Sequence, residues 1–296
     1  MNRVVFLLLF IPSMLWSQAN FEKADQLLQQ QNENINSLEK SLQSQDKQLS
    51  EMDKLQNMGK EKDNFEFKEQ QKVNDFIKRQ KQQDEMMQQF AKKIKDNLDK
   101  FNTDKKEESK EDLQKRLDKV DKDLDKNKKL LDELQKLNDK INSEDLLKKL
   151  DNFKQNSKNQ TRTLEQLVEL TKKFYVEKKA QQLANKLDKL SDQQEQLANK
   201  GKENNSQKQA DVNAAFDKIQ KELKELQKDN KELKSPLDLP KEEAKEKSID
   251  DDLKKALDEL EKNNSEKAQP KQKSASKKMK ELSQKMQESM ESSEME

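Results

Sequence analysis

Glycine occurs only twice in this chain of 296 residues, at Gly59 and Gly201. An ordinary globular domain carries about 7%. Glycine supplies the positive-φ positions that tight hairpins and phosphate-cradling loops need. A chain with two of them cannot turn a multi-stranded sheet back on itself many times. All-β and α/β architectures are therefore disfavoured before any pattern is read, and long helices remain. Proline is also sparse, at Pro12, Pro236, Pro240 and Pro270.

Charged residues make up 41% of the chain and hydrophobic ones 29%. That balance fits either long exposed helices or disordered chain, so periodicity has to decide. From Phe21, apolar residues recur every seven positions: Leu28, Ile35, Leu42 and Leu49, with Ala24, Gln31, Leu38, Gln45 and Met52 three residues further on. This is an a/d seam with glutamine at two d positions. A second seam runs through Val73, Gln80, Met87, Ile94 and Phe101, again with polar residues in it. A third runs Leu113, Val120, Asn127, Leu134 and Ile141, with Leu117, Leu124, Leu131 and Asn138 four residues on. A fourth alternates four and three from Val212 through Phe216, Ile219, Leu223, Leu226 and Asn230 to Leu233. A buried seam asparagine costs stability and commonly fixes register. Asn127, Asn138 and Asn230 are candidates for that role; a loosely packed seam that leaves them wet is the other reading.

These patterns predict an all-α fold of long amphipathic helices forming coiled coils and helical hairpins, with short disordered linkers. The expected segments are a helix over 20–58, long helices over 60–157, a helical hairpin over 161–240, a short helix over 241–262, a linker over 263–276 and an amphipathic helix over 277–296. The polar run 156–162 reads as a turn. Gly201 to Ser206 is the clearest break, because glycine commonly follows a helix end and Asn and Ser favour turns. Pro236 and Pro240 end the next helix. A helix of 40 residues is roughly 60 Å long and cannot bury its stripe alone, so each needs a partner helix from this chain or another copy.

Residues 1–19 differ from the rest. Arg3 precedes the apolar run from Val4 to Trp16, followed by Ser17, Gln18 and Ala19. This is the layout of a secretory signal peptide, cleaved after Ala19 or after Ser17. An uncleaved anchor is the rival reading, and membrane contact is expected only in that case. The run is shorter than the ~20 residues of a membrane span. Export to the periplasm or cell envelope is the expected location.

The sequence contains neither His nor Cys, so no metal ligand set or nucleophile system built on them is expected. There is no GxxxxGK[ST] phosphate loop. The 61 basic and 60 acidic residues nearly cancel, which argues against binding nucleic acid through phosphate contacts. The abundant acids sit beside lysines at helical spacing and read as solvated faces. No catalytic residue, cofactor, metal or small-molecule substrate is expected. Phe174 and Tyr175 are candidate partner anchors, since aromatics are enriched at binding hot spots; internal packing is the alternative. Methionines 279, 286 and 290 form a stripe open to the same two readings.

The segments LTKKFYVEKKAQQLANKLDKLSDQQEQLANK (170–200) and DVNAAFDKIQKELKELQKDNKELKSPLDLP (211–240) resemble the helical region of a family of large bacterial envelope proteins known only as a domain of unknown function. The resemblance is most specific over 164–240, extends to 276–296, and before about residue 110 is compositional. Such proteins have membrane-spanning helices near the start and long charged helices after them. Some are labelled ATPases without a nucleotide motif. This chain opens instead with a signal-like segment and stops where relatives continue, as a shortened or split member would. The resemblance implies no catalytic residue. The expected function is that of a non-enzymatic structural or scaffold coiled-coil protein of the cell envelope. It would act through self-association or protein partners. The alternative is a periplasmic chaperone or adaptor holding another polypeptide between helical arms.

Overall fold

The computed structural model describes residues 12–61, 67–101, 108–140 and 143–293, and every regular element among them is helical. Seven α-helices follow in order: α1 (Pro12–Glu61), α2 (Phe67–Leu98), α3 (Glu108–Asp139), α4 (Ser143–Ala198), α5 (Ser206–Lys231), α6 (Glu243–Glu261) and α7 (Ser265–Ser293). The expected all-α class is what the chain adopts. Residues 1–11 of the signal-like segment and the seam position Ile141 lie outside the described residues. The helices sort into two units, Gln29–Phe174 and a second made of Tyr175–Glu296 with the chain start up to Leu28. α1 and α4 contribute to both.

The first unit is an up-down-up-down bundle of α1 to α4. Its register can be read from side chains that meet across neighbours. Gln31 meets Asn97 at 2.9 Å and Glu51 meets Arg79 at 2.9 Å, so α1 and α2 are antiparallel. Lys95 with Asp118 (3.0 Å) and Lys81 with Asp132 (2.7 Å) set α2 against α3 in the same sense. Thr163 with Asp123 (3.3 Å) and Lys149 with Glu133 (2.5 Å) do so for α3 and α4. The ion pairs Lys172–Glu39 and Lys154–Asp53 close the ring between α4 and α1. Short loops joining such helices make each sequential pair antiparallel.

Two apolar clusters fill this bundle. One gathers Leu38, Ile94, Leu117, Leu124, Leu167 and Phe174. The other holds Met52, Phe76, Leu131, Leu134, Leu150 and Phe153. Phe76 meets Phe153 edge to face at 6.0 Å, and Phe101 meets Phe174 at 5.5 Å, arrangements favoured by the ring quadrupole. Leu42 and Leu49 are half-buried against these clusters.

The second unit is also a four-helix arrangement, of α4, α5, α6 and α7. Lys179 with Asp229 (2.9 Å), Lys186 with Glu222 (2.8 Å) and Gln194 with Gln209 (2.9 Å) show α4 and α5 to be the expected antiparallel hairpin. α6 and α7 are joined by Lys278–Asp252 (2.6 Å) and Lys245–Glu281 (3.1 Å). Between α7 and α4 runs a ladder of side chains that donate to backbone carbonyls: Gln269 to Ala198 (3.1 Å), Ser276 to Ser191 (2.9 Å) and Ser283 to Ala184 (2.8 Å). Donors and acceptors both step by seven residues. The small side chains of Ser276 and Ser283 let the two backbones approach, with Ala180, Ala184 and Ala275 completely buried beside them. The start of α1 lies on α4, where Lys189 sits over the Phe21 ring at 5.3 Å and Lys186 binds Asp25 at 2.9 Å.

Three local expectations are corrected. The run 156–162 is not a turn, because α4 passes through it. Thr161 and Thr163 donate to the carbonyls of Ser157 and Asn159 within the helix, and Asn156, Ser157 and Gln160 are buried, while Lys158, Asn159 and Arg162 stay exposed. Residues 265–276 are not a linker but the first half of α7. Burial of Ala268, Gln272, Ala275 and Ser276 holds that segment helical around Pro270; tertiary packing outweighs the local cost of proline. The third is the reading of Phe174, which is fully buried in the first unit and so packs internally instead of anchoring a partner.

The helix ends follow their sequence signals. Asn205 caps α5 by accepting from the Lys208 N–H at 3.0 Å, and Gly201 takes φ +55° in the preceding turn, a conformation glycine adopts without strain.

The α4–α7 ladder gives a direct test. Replacing Ser283 by leucine forces bulk between two close backbones, and overpacking of this kind costs about 1–3 kcal/mol. Denaturant unfolding of Ser283→Leu is expected to show that loss, with a smaller one for Ser283→Ala.

Candidate functional site: a polar layer inside the first bundle

Between the two apolar clusters of the first unit, all four helices turn polar side chains inward. α1 contributes Gln45 and Gln48, α2 Gln80, Gln83 and Asp84, α3 Asn127, and α4 Asn156 and Gln160. Each is at most 9% exposed. The sequence places them there by simple arithmetic, since Gln45, Gln80, Gln83 and Asn127 occupy seam positions where leucine would otherwise stand.

The side chains form two hydrogen-bonded groups, one between α1 and α2 and one between α3 and α4. Gln83 Oε1 accepts from Gln48 Nε2 and, at 2.8 Å, from Ser44 Oγ. Gln83 Nε2 donates to the Ser41 carbonyl at 2.9 Å and to Gln45 Oε1 at 3.2 Å. Gln80 Nε2 donates to Gln45 Oε1 (3.3 Å) and to Asp84 Oδ1 (2.9 Å). On the other side Asn127 Nδ2 donates to Gln160 Oε1, and Asn156 Nδ2 donates to Asn127 Oδ1.

Asp84 is the one acid in this layer and is 7% exposed. Burial pushes its carboxyl from the ordinary 3.8 up to about 7, and the neighbouring amides of Gln80, Asn127 and Gln160 offset only part of that effect. Desolvation disfavours the charged form. Its Oδ2 has no donor in good hydrogen-bond geometry, and Gln45 Nε2, Gln48 Oε1 and Gln160 Nε2 also lack partners. Both donors and acceptors are left over, which suits an uncharged layer. A cleft of about 130 Å³ between α2 and α3 reaches Asp84, with Lys81, Glu85, Leu124, Lys128 and Leu131 on its walls.

The second unit shows what a closed network looks like. Gln209 and Gln194 exchange hydrogen bonds at 2.9 and 3.1 Å. Gln272 then links Gln209 (2.7 Å) to Asn204 (2.9 Å). These amides are completed by one another, and no carboxyl sits among them.

The other sequence-marked residues fall as follows. Leu28, Ile35, Leu117, Leu124 and Leu131 are buried, as are Phe216, Ile219, Leu223, Leu226 and Leu233 in the core of the second unit. Of the three asparagines, Asn127 joins the polar layer. Asn138 bonds Asn74 Oδ1 (2.7 Å) and the Gln70 carbonyl (3.1 Å). Asn230 pairs with both the N–H and the carbonyl of Leu237, each at 2.8 Å, and so pins the loop after α5. Tyr175 is half-buried against the second core with Lys179 5.4 Å from its ring centre. Sequence reasoning missed Asp84 by reading every acid as solvated. The available signal was its position directly after a seam glutamine, Gln83, and four residues after another, Gln80.

No group of three or more acidic residues positioned to hold a metal ion occurs among the described residues, and no helix among them is long and apolar enough to cross a membrane. Comparison of the chain with protein-family models, curated proteins and solved structures returned no match.

Asp84 has a folded pKa above its unfolded one. Its stabilising contribution is therefore complete below about pH 4 and is lost progressively as pH rises to about 7. Asp84→Asn stays uncharged throughout. It is expected to match the parent near pH 4 and to exceed its stability above pH 7, by up to about 4 kcal/mol by linkage. Chemical denaturation across that range measures the difference.

Proposed function

We propose that this chain is a non-enzymatic structural or scaffold protein of the bacterial cell envelope, built on coiled-coil-like helix packing and working through contacts with protein partners or with further copies of itself. The observation that carries this reading is where the apolar stripes go. They are consumed inside the two bundles, and the large hydrophobic side chains exposed among the described residues are Phe67 and Met86. What the outside offers is charge, laced by ion pairs such as Arg79–Glu51 and Lys95–Asp118. Exposed pairs of this kind add little stability, but their pattern of sign selects among partners and fixes register. The seams hold the bundle together, so a partner reads the charged exterior. Export through the segment 1–19 would put that exterior in the periplasm or envelope, in keeping with the resemblance over 164–240.

The chaperone or adaptor reading requires a bundle to open and present its stripe. The polar layer of the first unit is the feature that favours it, since the apolar contacts are interrupted there. An apolar dye separates the two readings. A scaffold with closed bundles leaves dye fluorescence near its background, whereas a polypeptide holder raises it and loses the signal when a client is added.

The test of the leading reading is crosslinking of a tagged copy in intact cells after fractionation. Recovery in the envelope fraction, crosslinked to itself or to a dominant envelope protein, is the expected result. Recovery in the cytoplasm without crosslinked protein overturns it.

A further inference from the structure

The polar layer divides the core of the first unit into two apolar halves, and at that level the bundle depends on hydrogen bonds between neutral side chains. Amides make up nearly all of it, and amides keep their charge state at every pH. Asp84 alone can change. It is joined to α1 through Gln80 and Gln45, and it lies close to Asn127 of α3 and Gln160 of α4. Its state therefore bears on all four helices at once.

The surroundings offer no compensation for a negative charge. On α2 the facing charged groups are Lys81 and Glu85, and on α3 they are Asp125, Lys128 and Asp132. Lys81 is already engaged by Asp132 at 2.7 Å. α1 and α4 meet the layer with uncharged side chains, Gln45 and Gln48 from one and Asn156 and Gln160 from the other. Burial and three amides govern the carboxyl, with no charged group among the influences on it. An ionised carboxylate here has lost its hydration without gaining a cation, which is the costly case for a buried charge. The open α2–α3 cleft gives the proton a path to solvent.

We propose that the layer is a proton-operated latch: Asp84 lets α1 to α4 close across it while the carboxyl is protonated, and loosens the middle of the first bundle when the proton leaves through the α2–α3 cleft. The ligand of this site is a proton. What the latch regulates is the exposure of the half-cores on either side, around Leu124 and Leu131. The second unit has only amides in its corresponding network and stays closed over the same range. The latch does not depend on where the protein resides, so it stands or falls apart from the envelope reading.

Backbone amide exchange on the full chain, resolved by segment and corrected for the intrinsic rate, tests it. Between about pH 5 and pH 7, protection of segments 41–48, 80–84, 124–131 and 156–161 is expected to fall at least about ten-fold, by proton linkage. Segment 206–231 should keep its protection. Asp84→Asn should remove the pH dependence, and Glu85→Gln, which neutralises the neighbouring exposed acid, should leave it in place. Constant protection in the parent, an equal fall in 206–231, or the same fall in Asp84→Asn overturns the proposal. Infrared difference spectroscopy gives a readout that does not depend on the variant's stability. The parent should show the carbonyl stretch of a protonated carboxyl near pH 6, absent from Asp84→Asn, which fades as the pH passes 7. A parent spectrum without that band also overturns it.

Discussion

An amphipathic helix of thirty or more residues leaves a stripe of leucine, isoleucine and phenylalanine facing water unless another helix covers it. Full burial of each such side chain is worth about 1.5–3 kcal/mol, whereas an exposed lysine–acid pair on the outer face contributes a few tenths. Everything else in this protein follows from meeting that demand within one chain. The seven helices of the described residues supply each other's cover, in two four-helix arrangements to which α4 contributes a wall each. The charged majority of the sequence is then free to form the surface.

Polar residues in the seams divide into two kinds by what surrounds them. Asn230 and the amides around Gln209 are completed by backbone or by one another, so they cost little and specify register. The layer around Asp84 is incomplete and contains an ionisable group. A partly satisfied buried network is expensive in the same measure that a complete one is specifying. That contrast, inside one molecule and among chemically similar residues, is what distinguishes the layer from the other seam polar groups.

The ion pairs show the same dependence on setting. Lys186 is 12% exposed and binds both Asp25 and Glu222, tying α1 and α5 to α4, while Lys148–Glu144 lies in the open on one helix. The first is held by three elements and loses much if one partner goes. The second is a local i,i+4 contact worth little.

Much of the fold was legible in the residues alone. Sparse glycine and recurring 3-4 spacing pointed to a helical chain, and Gly201, Asn205 and the prolines at 236 and 240 marked real helix ends. The α4–α5 hairpin followed from a short connection. Local signals failed where packing outweighed them: the polar run 156–162 and the Pro270 segment look like loops, yet both are helical because their small or amide side chains are buried against other helices. The candidate site was legible only in part. Seam glutamines were visible at 31, 45 and 80, but one-dimensional spacing cannot say which of them come together at one level. Whether an acid is solvated or sealed depends on the helices that surround it, and only the tertiary structure brings α1, α3 and α4 around Asp84 and so decides its proton.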